Sequence, residues 1–146
     1  MSTRPASEAS KVERRPLRVL LAEDDPDFRA LLTTVLVRAG HEVITVADGK
    51  ELLEYVASVH LIGRRADHPD VIVSDIRMPG VSGLDIAAGL RRARWGSPIL
   101  LMTAFADERA RGEAERWGAR ILDKPFELDT LCEVLQRLSA TAHPSR

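Results

Sequence analysis

Five side chains stand out because each sits at the end of a short apolar run. Glu23 and Asp24 follow LRVLLA, Asp75 closes VIVSD, Thr103 lies in PILLMTA, and Lys124 follows ARILD. Three carboxylates converging on one crevice repel one another, so they must share a proton or bind a cation. With neither cysteine nor histidine beside them, an all-oxygen set favours Mg²⁺, which keeps several waters and takes one or two direct carboxylates; Mn²⁺ could substitute. A hard cation beside an ammonium and a hydroxyl suits a phosphoryl group, whose equatorial oxygens take charge from the first two and a hydrogen bond from the third. A carboxylate can then be the nucleophile. Taken singly each group has an ordinary explanation, capping for the acids and solvation for the lysine. Together they occupy four different strand ends, with charges that need each other.

Those side chains converge only if the runs that carry them lie side by side. LRVLLA is too short for a helix, and Asp25 followed by Pro26 is a helix start, with Phe28, Leu31, Leu32, Val35 and Leu36 at helical spacing until Gly40. HEVITVA alternates and is rich in β-branched residues, and Asp48 and Gly49 introduce a second helix carrying Leu52, Leu53, Val56 and Val59. The polar stretch GRRADHP leads to VIVSD, which should be a central strand; Met78, Pro79 and Gly80 turn the chain, and Ser82 caps a helix running to about Arg92. PILLMTA is a fourth strand. ADERARGEAERWG is a thin helix, with Ala106, Ala110, Ala114 and Trp117 on one face and Gly112 within it. ARILDKPF supplies a fifth strand, and Leu128, Leu131, Val134, Leu135 and Leu138 mark the last helix, with a frayed tail expected from Ser139. Strict alternation predicts an α/β fold, a five-stranded parallel sheet with helices on both faces. In such sheets ligands bind beyond the carboxyl ends of the strands, where the strand order switches.

Composition narrows the remaining choices. The chain has 146 residues, enough for one domain, and 21 basic against 22 acidic residues give a net charge of -1. No overall field points toward nucleic acid or an anionic membrane, and direct nucleic-acid binding is not expected. One cysteine, Cys132, excludes an intramolecular disulfide framework and a cysteine-rich zinc site, and its place beside the apolar stripe of the last helix suggests packing. No apolar segment reads as a secretory signal or membrane span, so a cytoplasmic setting is expected. Residues 1–16 read as a flexible tail. His41, His60, His68 and His143 lack metal spacing and read as surface or loop residues, and Trp117 as the edge of the core. The turn EDDPDF has no glycine, which fits neither a dinucleotide fingerprint nor a P-loop. An aspartyl phosphatase with its general acid two residues past the nucleophile would need Asp where this chain has Arg77.

With these residues in view, the chain resembles the receiver domain of two-component response regulators over about residues 17–138, leaving 139–146 as a C-terminal tail. The most specific string is VIVSDIRMPGVSG, with Met78, Pro79 and Gly83 at the family's offsets from Asp75. The resemblance implies a flavodoxin-like sheet in the order 2-1-3-4-5 and makes Asp75 the phosphoacceptor. It also implies Mg²⁺ held by Asp24 and Asp75 directly, by Glu23 through water and by the Arg77 backbone carbonyl. Thr103 would be the switch hydroxyl, Lys124 the phosphoryl partner, Ala104 the small residue leaving access, and Lys124–Pro125 a cis bond. The donor would be a sensor histidine kinase or a histidine phosphotransfer protein, and a downstream target would read the face made by the fourth helix, fifth strand and fifth helix. Two residues depart from the usual pattern. Ile121 stands where an inward-rotating aromatic is usual, and Phe105 is a ring where the family tunes water access, from which slow self-dephosphorylation is expected. A stand-alone receiver acting through another protein or by onward phosphate transfer is the expectation. The alternatives are a phosphorylation-independent interaction module of the same fold and a receiver fragment of a larger regulator.

Overall fold

The computed structural model describes residues 14–142. Strand and helix alternate from β1 (Arg18–Ala22), α1 (Pro26–Arg38), β2 (Glu42–Val46) and α2 (Gly49–Ile62) to β3 (Val71–Asp75) and α3 (Gly83–Arg92). They continue with β4 (Ile99–Thr103), α4 (Glu108–Arg116), β5 (Ala119–Asp123) and α5 (Leu128–Ala142), and a 3₁₀ turn, Arg65–Asp67, precedes β3. All pairings are parallel, in the order β2-β1-β3-β4-β5. The two strands with unbroken apolar runs, VIVSD and ILLMT, are buried at every residue, whereas the alternating EVITV and ARILD lie at the edges and stay partly exposed. Their composition dictates that placement, because only a strand covered on both faces can bury every side chain.

The pleat divides the apolar residues between two layers. Leu20, Ile72, Ile99 and Leu101 face one way, toward Leu52 and Val56 of α2, Ile86 and Leu90 of α3 and Ala114 of α4. Val19, Leu21, Val73, Leu100 and Met102 face the other, toward Leu32 and Leu36 of α1 and Leu131 and Leu135 of α5. Each leucine taken fully out of water contributes roughly 1.5–3 kcal/mol, so both layers hold the strand ends in fixed register. Helix starts are capped where side-chain oxygens were expected. Asp25 accepts from the Asp27 and Phe28 amides, and Ser82 and Asp85 cap each other reciprocally. Among the described residues no helix is long and apolar enough to cross a membrane.

Two expectations are corrected. The last helix does not fray at Ser139: α5 runs to Ala142, and Ser139 is fully buried. The reason is a tertiary contact. The Gln136 amide accepts from the Arg15 N–H at 3.3 Å and donates to the Arg15 carbonyl at 2.7 Å, while the Arg15 guanidinium donates to the Ser139 hydroxyl. The segment ahead of β1 is thus tied to α5 from Arg15 onward. His41 is not a surface residue. It is 7% exposed and its Nδ1 accepts the Leu17 N–H at 3.0 Å, a buried amide that would otherwise lack a partner. His60 and His68 are exposed; His68 stacks on Trp95 with ring centroids 4.7 Å apart. His143 lies outside the described residues. Cys132 is buried against Leu131 and Leu135, and Trp117 is half-buried at the margin of its layer, as read from sequence.

Candidate functional site

The chain passes from β1 outward to β2 and then back over β1 to β3, so the strand order reverses between the neighbours β1 and β3. The crevice at that switch lies at their carboxyl ends, where Glu23 and Asp75 stand. Glu23 is held rigidly. Its amide donates to the Val46 carbonyl at 3.2 Å, its own carbonyl accepts from the Arg29 guanidinium at 2.6 Å, and its Oε2 accepts the Asp25 N–H at 3.0 Å. Asp75 ends a strand buried at every residue, and the loop behind it is packed tightly enough that a Cβ on Gly83 would come within 2.6 Å of the Asp75 carbonyl oxygen. Glycine at the start of α3 therefore lets the helix close against the acid.

Glu23, Asp24 and Asp75 each offer a carboxylate oxygen within 4.8 Å of the others. Lys124 reaches in from the end of β5, with Nζ 3.1 Å from Asp75 Oδ1 and 3.9 Å from Glu23 Oε1. Its peptide bond to Pro125 is cis, and its amide donates to the Thr103 carbonyl at 2.7 Å. Burial pushes the Glu23 carboxyl up to about 7; the Asp25 amide opposes this, Asp75 adds to it, Lys124 opposes it and Asp24 adds to it again. Burial raises Asp75 as well, against the hydrogen bond and charge of Lys124. One ammonium thus faces three carboxylates, two of them buried. Glu23 Oε1 is buried without a hydrogen-bond partner. A buried carboxylate oxygen without a hydrogen-bond partner, in a cluster short of positive charge, is what a hard divalent cation satisfies, so the residues present fit Mg²⁺.

The other expected residues lie around this pocket in different states. The Thr103 hydroxyl is engaged by its own loop: it accepts the Phe105 N–H at 3.2 Å and donates to the Phe105 carbonyl at 3.1 Å. Ala104 is exposed, and Phe105 is 66% exposed. Arg77 is exposed in the loop two residues past Asp75. Ile121 is partly buried and packs against the layer under α4. Sequence reasoning did not assign three residues that shape the site, namely Arg29, Phe28 and Phe126. Phe28 lies 4.8 Å from the Lys124 ammonium, ring centroid to Nζ, and 6.2 Å from the Phe126 ring. Phe28 was visible only as a member of the apolar face of the first helix; its second contact depends on where β5 ends.

Residues 19–136 match the response regulator receiver domain, and the chain belongs to that family. It is similar to the transcriptional regulatory protein TcrA of Mycobacterium tuberculosis, 38% identical over 124 residues, which cover 84% of this chain and 46% of that protein. A likeness of 34% identity to the regulatory protein AtoC of Escherichia coli covers 82% of this chain and 24% of AtoC. The chain therefore spans between a quarter and a half of the length of these curated relatives, which carry the receiver within longer regulators. Among solved structures it resembles the chemotaxis protein CheY4 of Vibrio cholerae, with 33% identity, a TM-score of 0.71 and coverage of 85% of this chain and 99% of that one. The response regulator TrrA of Thermotoga maritima, solved in complex with Mg²⁺-BeF, is 33% identical with a TM-score of 0.69, covering 83% and 97%.

Proposed function

We propose that this receiver is a phosphorylation switch that takes a phosphoryl group onto Asp75 from a histidine kinase or histidine phosphotransfer protein. The observation that carries the reading is the set of three carboxylates facing the Lys124 ammonium at the switch point of the sheet. A carboxylate oxygen of Asp75 forms the new bond to phosphorus in line with the departing P–N bond of phosphohistidine, and the imidazole leaves with the electron pair. Lys124 supplies one positive charge to the transferring oxygens. Glu23, Asp24, Asp75 and the Arg77 carbonyl would hold Mg²⁺, which when bound neutralises charge on the phosphoryl oxygens. TrrA, solved with Mg²⁺-BeF, supports this assignment.

Added negative charge on Asp75 gives the Thr103 hydroxyl a stronger acceptor than the Phe105 carbonyl. Moving toward it, Thr103 releases both bonds to the Phe105 backbone and frees the loop ahead of α4. The face of α4, β5 and α5 then shifts between two populations, and a downstream target protein reads it. The protein works in the cytoplasm, without inserting in a membrane and without binding nucleic acid through this unit. It turns over no separate substrate; its chemistry is the gain and loss of its own phosphoryl group. The exposed Phe105 ring cannot orient an attacking water, so self-dephosphorylation is slow, and Phe105→Glu is expected to change the decay rate of the phosphorylated protein.

Intact mass after incubation with phosphoramidate and Mg²⁺ tests the reading. One phosphoryl adduct is expected in the wild type, and none in Asp75→Asn or with EDTA. Absence of an adduct with both phosphoramidate and a phosphohistidine donor would overturn it. That result favours the second reading, a phosphate-independent interaction module, for which the aliphatic, partly buried Ile121 at the margin of the core is the supporting observation.

A further inference from the structure

We propose that Phe28 is a positioning residue for Lys124, its ring face holding the ammonium in the pocket through a cation–π contact; the proposal rests on the phosphoacceptor reading above. Lysine carries its charge on a flexible four-carbon stem, so two carboxylates alone leave the ammonium free to choose between them or to turn to water. The Lys124 side chain is 23% exposed, and its two anionic neighbours, Asp75 Oδ1 at 3.1 Å and Glu23 Oε1 at 3.9 Å, belong to β3 and to the end of β1. The Phe28 ring, with its centroid 4.8 Å from Nζ, comes from α1. A cation within about 6 Å of a ring centroid is attracted by the ring's quadrupole, and more strongly when water is kept away.

The Lys124 side chain is mostly buried, and one flank of it is apolar. Phe28, Leu31, Phe126 and Leu128 line a cavity of about 520 Å³ that reaches Lys124, and almost all of its lining is apolar. The ring itself is placed by two independent devices. The Asp25 cap receives the Phe28 amide at 3.4 Å and sets the first turn of α1, and Phe126, two residues past Lys124, packs against Phe28 with the ring planes inclined at 54°. The aromatic pair thereby joins the start of α1 to the connection that carries the lysine. Simple core packing would use the apolar volume of Phe28 and not its π face. Leucine keeps most of that volume and removes the face; tyrosine keeps both.

Two measurements decide the matter. In the first, NMR locates the Lys124 ε-methylene protons in the unphosphorylated protein. A ring-current shift upfield of ordinary lysine is expected in the wild type and in Phe28→Tyr, and its loss in Phe28→Leu. An unshifted wild type overturns the proposal. In the second, the rate of adduct formation with phosphoramidate and Mg²⁺ is expected to fall about three- to tenfold in Phe28→Leu and to be retained in Phe28→Tyr, as removal of a partly desolvated cation–π contact predicts. Equal rates in Phe28→Leu and wild type, with both folded, overturn the positioning role. The two arms separate the possible failures. A wild type that forms no adduct but shows shifted Lys124 protons sinks the phosphoacceptor reading and leaves the hold of the ring on the lysine standing.

Discussion

At the amino ends of the strands, buried polar groups are matched one for one. The Leu17 amide meets His41 Nδ1 at 3.0 Å, the Arg18 amide meets Asp70 Oδ2 at 2.8 Å, and Ser97 accepts from the Trp95 indole and donates to the Pro69 carbonyl at 2.7 Å. The Arg91 guanidinium spans the carbonyls of Trp95, Ser97, Trp117 and Gly118, all within 3.5 Å. At the carboxyl ends the balance is the opposite. Three carboxylates face one ammonium, and Glu23 Oε1 has no hydrogen-bond partner. Both ends belong to the same five strands and rest on the same two apolar layers, so the difference does not arise from the fold. One end uses its polar groups to hold the chain together, and the other leaves one buried carboxylate oxygen without a hydrogen-bond partner, as the proposed cation site requires.

Loss of the adduct in Asp75→Asn is the largest effect expected at the carboxyl end. At the amino end the largest is that of Arg91→Met, which removes a charged donor from four carbonyls and should cost roughly 2–4 kcal/mol of stability in urea unfolding, without changing the rate of Asp75 phosphorylation. A loss of phosphorylation in that variant would break the division between the two ends.

A smaller pair of effects, of opposite sign, sharpens it. Glu23 keeps its proton up to about pH 7 in the folded chain against an ordinary 4.5, so between those values the folded state holds more protons than the unfolded one. Its contribution to stability is therefore present at low pH and lost as the pH rises through that window, and the raised Asp75 adds to the same slope. Glu23→Gln should flatten the loss, and Mg²⁺ should offset it above pH 7 by binding the folded state. His41 runs the other way. Burial lowers its pKa from 6.5, so the unfolded chain takes a proton first as the pH falls below that value, and stability drops. His41→Asn, which retains an acceptor for Leu17, should flatten that limb. Thermal unfolding against pH in the two variants, without metal, reads both slopes.

Much of this arrangement was legible in the residues. Apolar runs of strand length, each ended by a charged or hydroxyl side chain, marked the strands, and alternation with amphipathic helices implied parallel pairing with both faces covered. The acids, Thr103 and Lys124 were visible as a set because each falls at a strand end. His41 was misread because a histidine beside a glycine turn carries no local sign of the amide it will accept. The last helix was expected to fray from Ser139 because nothing near it in sequence partners its hydroxyl; Arg15, 124 residues away, does. Phe28 counted as one more apolar residue at helical spacing.

What the sequence by itself determined is the alternation of elements, the division of apolar residues between two faces and the identity of the groups at the strand ends. These follow from local periodicity and residue chemistry, which operate within a few residues of each position. Only the tertiary structure decided which polar groups are satisfied. Whether Glu23 Oε1 is orphaned, His41 a buried acceptor or Lys124 covered by a ring depends on atoms supplied by segments distant in the chain, and the cost of burying a polar group is set by those atoms and not by its neighbours in sequence.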